Sequence, residues 1–317
     1  MRCLLLPGIC SFLLLPGCRD HGVPPPAEGL TVVATIFPLA DAAARIAGSD
    51  ANVVCLVGPG RSPHDFSLKP IQVQAIANAH LVLMVGGGLD DWALRAGESA
   101  RGRGAKVLQL CQLPEISRTA DDRHHDDGDI HQEGTFDHDH AHAHGGADPH
   151  VWLDPVFMQQ FARQISAVLG ELDPPNSGQY QQRAQRFVEQ LEELDRDYRS
   201  GLAGVDRRCV LTYHRAFTYI AWRYGLQIAS VYELTGGGLG ARQLEEVVDF
   251  VRRNDVKVVF TEPQFPADKL QVLAERTGVR VEMLDPLGNP DQAGYDSYVA
   301  MMRSNLSALV AALKEQQ

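Results

Sequence analysis

No two cysteines in this sequence are spaced as CxxC. That excludes thiolate zinc clusters and dithiol redox motifs. Of the six cysteines, Cys3, Cys10 and Cys18 fall at the N-terminus, and Cys55, Cys111 and Cys209 remain in the body. Three thiols cannot all pair, and the apolar runs around Cys55 and Cys209 predict buried, free side chains. Basic charge is scarce too. Against 40 Asp and Glu stand 29 Lys and Arg, a formal net charge of -11. Without a basic face there is nothing to neutralise phosphates, so nucleic acid is excluded as a partner. HExxH, the helical zinc-hydrolase signature, is absent. No Walker lysine follows the glycines Gly86–Gly88 or Gly236–Gly240, and no GxGxxG opens a helix after the first strand, so nothing points to a nucleotide.

What is present begins with a targeting segment. "MRCLLLPGICSFLLLPGCRD" has one basic residue and then an apolar run too short to span a bilayer. Leu15 stands three residues before Cys18, and Gly17 just before it. This resembles the lipobox of bacterial lipoproteins, in which the Cys is lipidated and starts the mature chain. Residues 1–17 are therefore read as a signal peptide and 18–30, with "HGVPPPAEG", as a lipid-anchored tether. A plain secretory signal with incidental cysteines is the alternative. Both imply export, and the first places the protein on a bacterial membrane by its lipid anchor only.

The body, with 44% hydrophobic and 22% charged residues over the whole 317-residue chain, is that of a soluble globular protein with room for two domains. Short apolar runs alternate with helical patterns. "TVVATI", "NVVCLV", "LVLMV" and "KVLQL" are separated by "PLADAAARIAG", "IQVQAIANA" and "LDDWALRAGES". Later "RCVLT", "LQIASVYEL", "KVVFT" and "VRVEMLD" alternate with "RAFTYIAWRYG", "ARQLEEVVDFVRRN" and "ADKLQVLAERTG", and a helix from about Tyr295 to Leu313 closes the chain. Such alternation predicts an α/β fold with parallel sheets covered on both faces. Between the halves, Tyr180, Ala184, Phe187, Leu191, Leu194, Tyr198 and Leu202 form one apolar stripe at helical spacing. Pro174 and Pro175 precede it, with Asn176 or Ser177 as the cap. The expected organisation is an N-terminal α/β lobe over 31–175, a long rigid linking helix over 176–204, and a C-terminal α/β lobe over 205–317.

In open parallel sheets, ligands bind just past the carboxyl ends of the strands. His64 follows "NVVCLV", His150 lies in the connection after "KVLQL", His214 follows "RCVLT", Glu262 follows "KVVF" and Asp285 follows "VRVEML". One His in a loop is unremarkable; five metal-capable residues at five strand ends form a pattern. Three imidazoles and a carboxylate make a complete tetrahedral set for Zn²⁺.

"SPHDFSLKP", "DPHVWLDP", "TYHRAF", "FTEPQF" and "LDPLG" resemble, in order, the signature segments of the metal-binding solute receptors of ABC transporters, the ZnuA/TroA-like family. "GGGLDDW" is similar to that family's Gly-rich segment ending in Trp. The resemblance covers the body from Thr31 to the C-terminal helix. It implies two lobes, a long linking helix and one metal in the cleft, held by His64, His150 and His214, with Asp285 as fourth ligand or as a water-sharing partner. Glu262 matches an acid near the site, as a further ligand or as support for one. "YELTGGGLGARQL" departs from the family, which usually has a Pro-containing segment there. The function implied is extracytoplasmic capture of Zn²⁺ and delivery to the membrane permease of an ABC importer, by a monomer that is not an enzyme.

The stretch from His124 to His144 holds seven histidines: His124, His125, His131, His138, His140, His142 and His144. It is rich in Asp and Gly and nearly devoid of apolar residues, so a disordered loop over 120–146 is expected, either a weak metal-capturing accessory or a solvated insertion. His150 differs, since Pro149 restricts its backbone and Trp152 can anchor it. A His-rich insertion here resembles the zinc-importing branch of the family. Manganese-selective relatives carry an acid where His214 stands, and imidazole favours Zn²⁺ over Mn²⁺. The alternatives are a receptor for Mn²⁺ or another divalent ion, and, in other classes, a zinc-dependent hydrolase with Glu262 as base or a metal-stabilised adhesin.

Overall fold

The protein was analysed as a computed structural model that describes residues 29–114, 148–232, 241–265 and 270–314. The expected signal peptide, Cys18, the seven-histidine stretch and most of "YELTGGGLGARQL" lie outside the described residues. Among the described residues, no helix is long and apolar enough to cross a membrane.

The first sheet comprises β1 (Leu30–Ala34), β2 (Ala51–Cys55), β3 (Leu81–Met84) and β4 (Lys106–Gln109), interleaved with α1 (Phe37–Ala47), α2 (Pro70–Ala77) and α3 (Leu94–Gly102). After α4 (Pro155–Leu172) and α5 (Ser177–Ala203) the second sheet follows: β5 (Cys209–Thr212), β6 (Gln227–Ser230), β7 (Val258–Thr261) and β8 (Arg280–Met283), with α6 (Thr218–Tyr224), α7 (Ala241–Arg253), α8 (Gln271–Thr277) and the closing α9 (Tyr298–Leu313). Every strand pairing is parallel. The two sheets share one topology, β2-β1-β3-β4 and β6-β5-β7-β8. The expected α/β class, with two parallel sheets covered by helices and joined by a long helix, is the one observed.

Both faces of the first sheet are buried, and the two-residue period of a strand decides which side chain goes where. Val32, Ala34, Leu81 and Leu83 face one core; Val33, Val82 and Met84 face another with Ile76, Ala93 and Ala100. The first of these cores does not stop at the lobe. It runs through Trp152, Phe161, Leu191 and Tyr198 to Phe217, Phe260 and Tyr298 of the second lobe. The far face of the second sheet has its own core around Leu211, Val247, Val259 and Leu273.

The linking helix, α5, is 27 residues long. At about 1.5 Å per residue it spans roughly 40 Å. Its stripe from Tyr180 to Leu202 is buried as the spacing predicts. The expected cap is different. Asn176 precedes the helix without capping it; its amide instead donates to Asp173 Oδ2 at 2.7 Å. "LQIASVYEL" is also shorter as a strand than its apolar run, ending at Ser230. The strand–helix alternation does not announce α4, which packs along α5 as a hairpin. Its signal is local: Asp154 accepts from Val156 N at 2.9 Å as N-cap, and Pro155 stands at the first helical position. Phe157, Phe161 and Ile165 then recur every fourth residue on the buried face.

The body cysteines are free and half-buried. Burial pushes the Cys55 and Cys111 thiols up to about 12, so neither is reactive.

Because the lobes share a core, they are expected to unfold together. Leu191→Ala, at the buried centre of α5, should cost about 2–5 kcal/mol and leave a single denaturation transition. Two separate transitions, one insensitive to the substitution, would show that the lobes fold independently.

Candidate metal centre

Three loops bring three imidazoles together where the lobes meet. His64 stands in the turn after β2, exposed to solvent. Its loop is pinned by Trp92, whose indole donates to the Pro63 carbonyl at 2.8 Å and whose ring lies 4.8 Å from Phe66. His150 precedes a single 3-10 turn, Val151–Leu153, and is buried. Here Trp152 is the anchor: it is 1% exposed and donates to the Pro286 carbonyl at 2.6 Å, across 134 residues of sequence. The Tyr298 hydroxyl returns a bond to the Trp152 carbonyl at 2.7 Å. His214 is half-buried at the end of β5. The ring centroids are 5.3 Å apart for His64–His150, 5.1 Å for His64–His214 and 4.8 Å for His150–His214.

One nitrogen from each ring can be chosen so that all lie within 4.8 Å of one another, and among the described residues this is the one such group of three metal-capable side chains. His64 Nε2 and His150 Nε2 are 3.2 Å apart. Two nitrogens bound tetrahedrally to one Zn²⁺, each at about 2.05 Å, would be about 3.3 Å apart. That separation is therefore already the edge of a zinc tetrahedron.

Two carboxylates stand behind the imidazoles. Asp148 Oδ1 meets His150 Nδ1 at 2.7 Å and accepts from the His150 main-chain N–H at 2.9 Å. Burial alone would raise the Asp148 carboxyl, but the charge and hydrogen bonds of His150, with a bond from the Thr218 hydroxyl, hold it below its ordinary value. Glu262, almost wholly buried, places its oxygens 3.3 and 3.4 Å from His214 Nδ1. An acid at Nδ1 keeps the proton there, orients the ring and leaves Nε2 as a bare, more basic ligand. Glu262 thus stands as the support for His214. Sequence reasoning missed Asp148, although a signal exists: an Asp two residues ahead can accept from the backbone N–H in an Asx turn.

Asp285 is at the expected strand end but does not join the three-nitrogen group. Its Oδ1 accepts from Leu287 N and Gly288 N, both at 2.9 Å. Its main chain is clamped on both sides by fully buried Asn305, which accepts from Asp285 N at 2.9 Å and donates to Asp285 O at 2.7 Å. Burial raises its carboxyl above the ordinary value, against the pull of those two N–H bonds. With Pro59, Gly60 and Gln264 it lines a cavity of about 190 Å³ between the lobes.

The glycines Gly86–Gly88 have positive φ, yet they build no phosphate cradle. Buried Asp90 takes the N–H groups of Val85 and Gly86 at 2.7 and 2.9 Å and the Thr35 hydroxyl at 2.7 Å. A Cβ at Gly87 would lie 3.2 Å from Cys111 Sγ and 3.4 Å from Pro149 Cβ, so this turn packs against the strap carrying His150.

The chain is similar to known proteins over most of its length. The sequence matches the family described as ZnuA, zinc-uptake complex component A periplasmic, over residues 32–312. The high-affinity zinc uptake system protein ZnuA of Yersinia pestis is 30% identical over 293 residues, covering 89% of this chain and 91% of that protein. The zinc-binding lipoprotein AdcA of Streptococcus pneumoniae is 27% identical over 315 residues, 96% of this chain; the match spans 60% of AdcA's own length. Among solved structures, the laminin-binding protein Lmb of Streptococcus agalactiae, described as bifunctional with adhesin and metal transporting activity, aligns at a TM-score of 0.72 and 26% identity over 90% of this chain and 100% of Lmb. With both sheets, the linking helix and all three imidazoles inside the matched residues, the chain belongs to the ZnuA family of zinc-uptake components.

Proposed function

We propose that the protein captures Zn²⁺ outside the cytoplasm and hands it to the membrane permease of an ABC importer, the ion being cargo and not a resident cofactor. The observation that carries this is the convergence of His64, His150 and His214, with acids behind two of the three rings. Three neutral nitrogens, two of them already at tetrahedral spacing, suit Zn²⁺, whereas Mn²⁺ prefers a site richer in oxygen. The fourth position falls to Asp285, through the carboxylate oxygen that Leu287 and Gly288 do not engage, or to a water shared with it. The family relationship and the zinc-binding names of the relatives support the same reading.

Catalysis is not favoured. A zinc hydrolase needs an uncommitted base beside the metal-bound water. Glu262, the base considered for such a reaction, is committed to His214 Nδ1.

Replacing His64, His150 or His214 with Ala should each weaken Zn²⁺ binding by about tenfold or more, about 1.4 kcal/mol, in competition titrations with a chromophoric chelator. Wild-type affinity in two of the three variants would overturn the ligand set.

Protons compete with the metal for the same nitrogens. Binding requires neutral imidazole, so affinity should be full above the ordinary histidine range, near ~6.5, and fall as pH drops through and below it. Zinc retention that stays flat from neutral pH to pH ~5 would show that carboxylates, not imidazoles, hold the ion.

The seven histidines from His124 to His144 are an accessory in this reading. Deleting residues 120–146 should leave one tight Zn²⁺ site in a calorimetric titration and abolish weaker ones, since shortening a surface connection alters little closure entropy. Disappearance of the tight site with the deletion would place it among those histidines instead.

A further inference from the structure

We propose that Tyr219, near the start of α6, is a positioning residue for the metal: through Asp148 it ties the His150 imidazole to the helix that follows His214. This rests on the reading of the three imidazoles as Zn²⁺ ligands.

His150 and His214 are 64 residues apart in sequence and are carried by different lobes, so their spacing needs a fixed connection. α6 supplies it. The helix begins four residues after His214. The Tyr219 hydroxyl donates to the Asp148 carbonyl at 2.8 Å. The carboxylate of the same residue meets His150 Nδ1 at 2.7 Å. The Tyr219 ring is fully buried, edge-on to Phe157 at 5.8 Å, so its hydroxyl has little freedom to leave. At its far end α6 grips the other flank of the same strap, where Arg223 Nε bonds buried Asp154 at 2.6 Å. One short helix therefore holds both ends of the segment 148–154 and sits directly behind His214.

Tyr219 fixes where the Asp148 main chain lies, and with rigid Pro149 this fixes the His150 backbone. The Asp148 carboxylate, carried on that main chain, sets the rotation of the imidazole about its axis. Metal coordination is directional, so a ring displaced or rotated gives a weaker bond even though the ligand is still present. The Tyr219 hydroxyl does not need to touch the ion.

The test compares Zn²⁺ affinity, and the visible spectrum of Co²⁺ in place of Zn²⁺, in full-length wild type, Tyr219→Phe and Tyr198→Phe. The last is a control, because the Tyr198 hydroxyl makes a buried bond of the same kind, to the Met302 carbonyl at 2.8 Å, joining α5 to α9. Tyr219→Phe should lower Zn²⁺ affinity by about tenfold and change the intensity of the Co²⁺ bands, which report tetrahedral geometry. Tyr198→Phe should lower the thermal midpoint while leaving affinity and spectrum as in wild type. Wild-type affinity and spectrum in Tyr219→Phe, beside a loss in His150→Ala, would overturn the positioning role alone. Equal losses of affinity in Tyr198→Phe and Tyr219→Phe would reduce it to general stability. Wild-type affinity in His150→Ala would overturn the ligand set and this inference with it.

Discussion

Three imidazole nitrogens do not stay close together of their own accord. His64 Nε2 and His150 Nε2 are 3.2 Å apart, and when both rings carry their proton on Nδ1, as metal binding requires, two lone pairs face one another. Held in that state they repel, and each would be better solvated in water. Something must oppose this, and here it is the fixing of each ring from behind. Asp148 and Glu262 take the Nδ1 side of two rings, and buried anchors hold the loops that carry them. A cation relieves the repulsion, so the scaffold's stiffness appears as affinity. The same logic accounts for Trp152, whose bond to the Pro286 carbonyl seals the seam next to the centre.

The two lobes share a strand order, but only one uses its central position for ligands. Where the order reverses, between β5 and β7, His214 and Glu262 stand side by side at the strand ends. The equivalent place in the first lobe, between β1 and β3, is taken by Thr35 and Asp90. There the carboxylate is sealed by a hydroxyl and two main-chain N–H groups, and burial raises it above its ordinary value against those bonds. The first lobe therefore cannot offer its switch point to an ion. Its two imidazoles of the group come from the flanks, His64 after the edge strand β2 and His150 from the strap leading to α4. One repeated architecture thus carries an asymmetric site, with one closed crevice and one open.

The strand-end rule made the three histidines legible, because it depends only on where apolar runs stop. The parallel class and the linking helix were legible for the same reason: periodicity is local. What was hidden depends on distance or on side-chain rotation. The Trp152–Pro286 bond joins residues 134 apart, and no local pattern encodes it. Asp285 lies at the predicted edge, yet its side chain turns back to cap its own loop at Leu287 and Gly288, which strand position alone does not specify. Asn176 has the right residue type for a cap, but the competing carboxylate of Asp173 takes its amide. Helix α4 was obscured because its apolar stripe follows directly on the His-rich stretch and the Pro-bounded turn, so the eye finds a loop where Asp154 and Pro155 in fact open a helix.

The seam also bears on how an ion reaches the centre. Opening the lobes like a hinge would break the Trp152–Pro286 and Tyr298–Trp152 bonds, the bond from Tyr298 N to Asp41 and the buried Arg223–Asp154 pair. The three hydrogen bonds are worth roughly 1 kcal/mol each, while the ion pair, resolvated on opening, adds little. A wide opening would also expose the apolar core that runs unbroken from Trp152 to Phe260 and Tyr298. Together these terms are comparable to the whole stability of an ordinary domain, so a wide hinge motion is not an economical route. His64 is different: it is the exposed imidazole of the three, while His150 is buried. Solvent therefore reaches the three nitrogens from the His64 side, and the seam keeps His150 and His214 in place beside it.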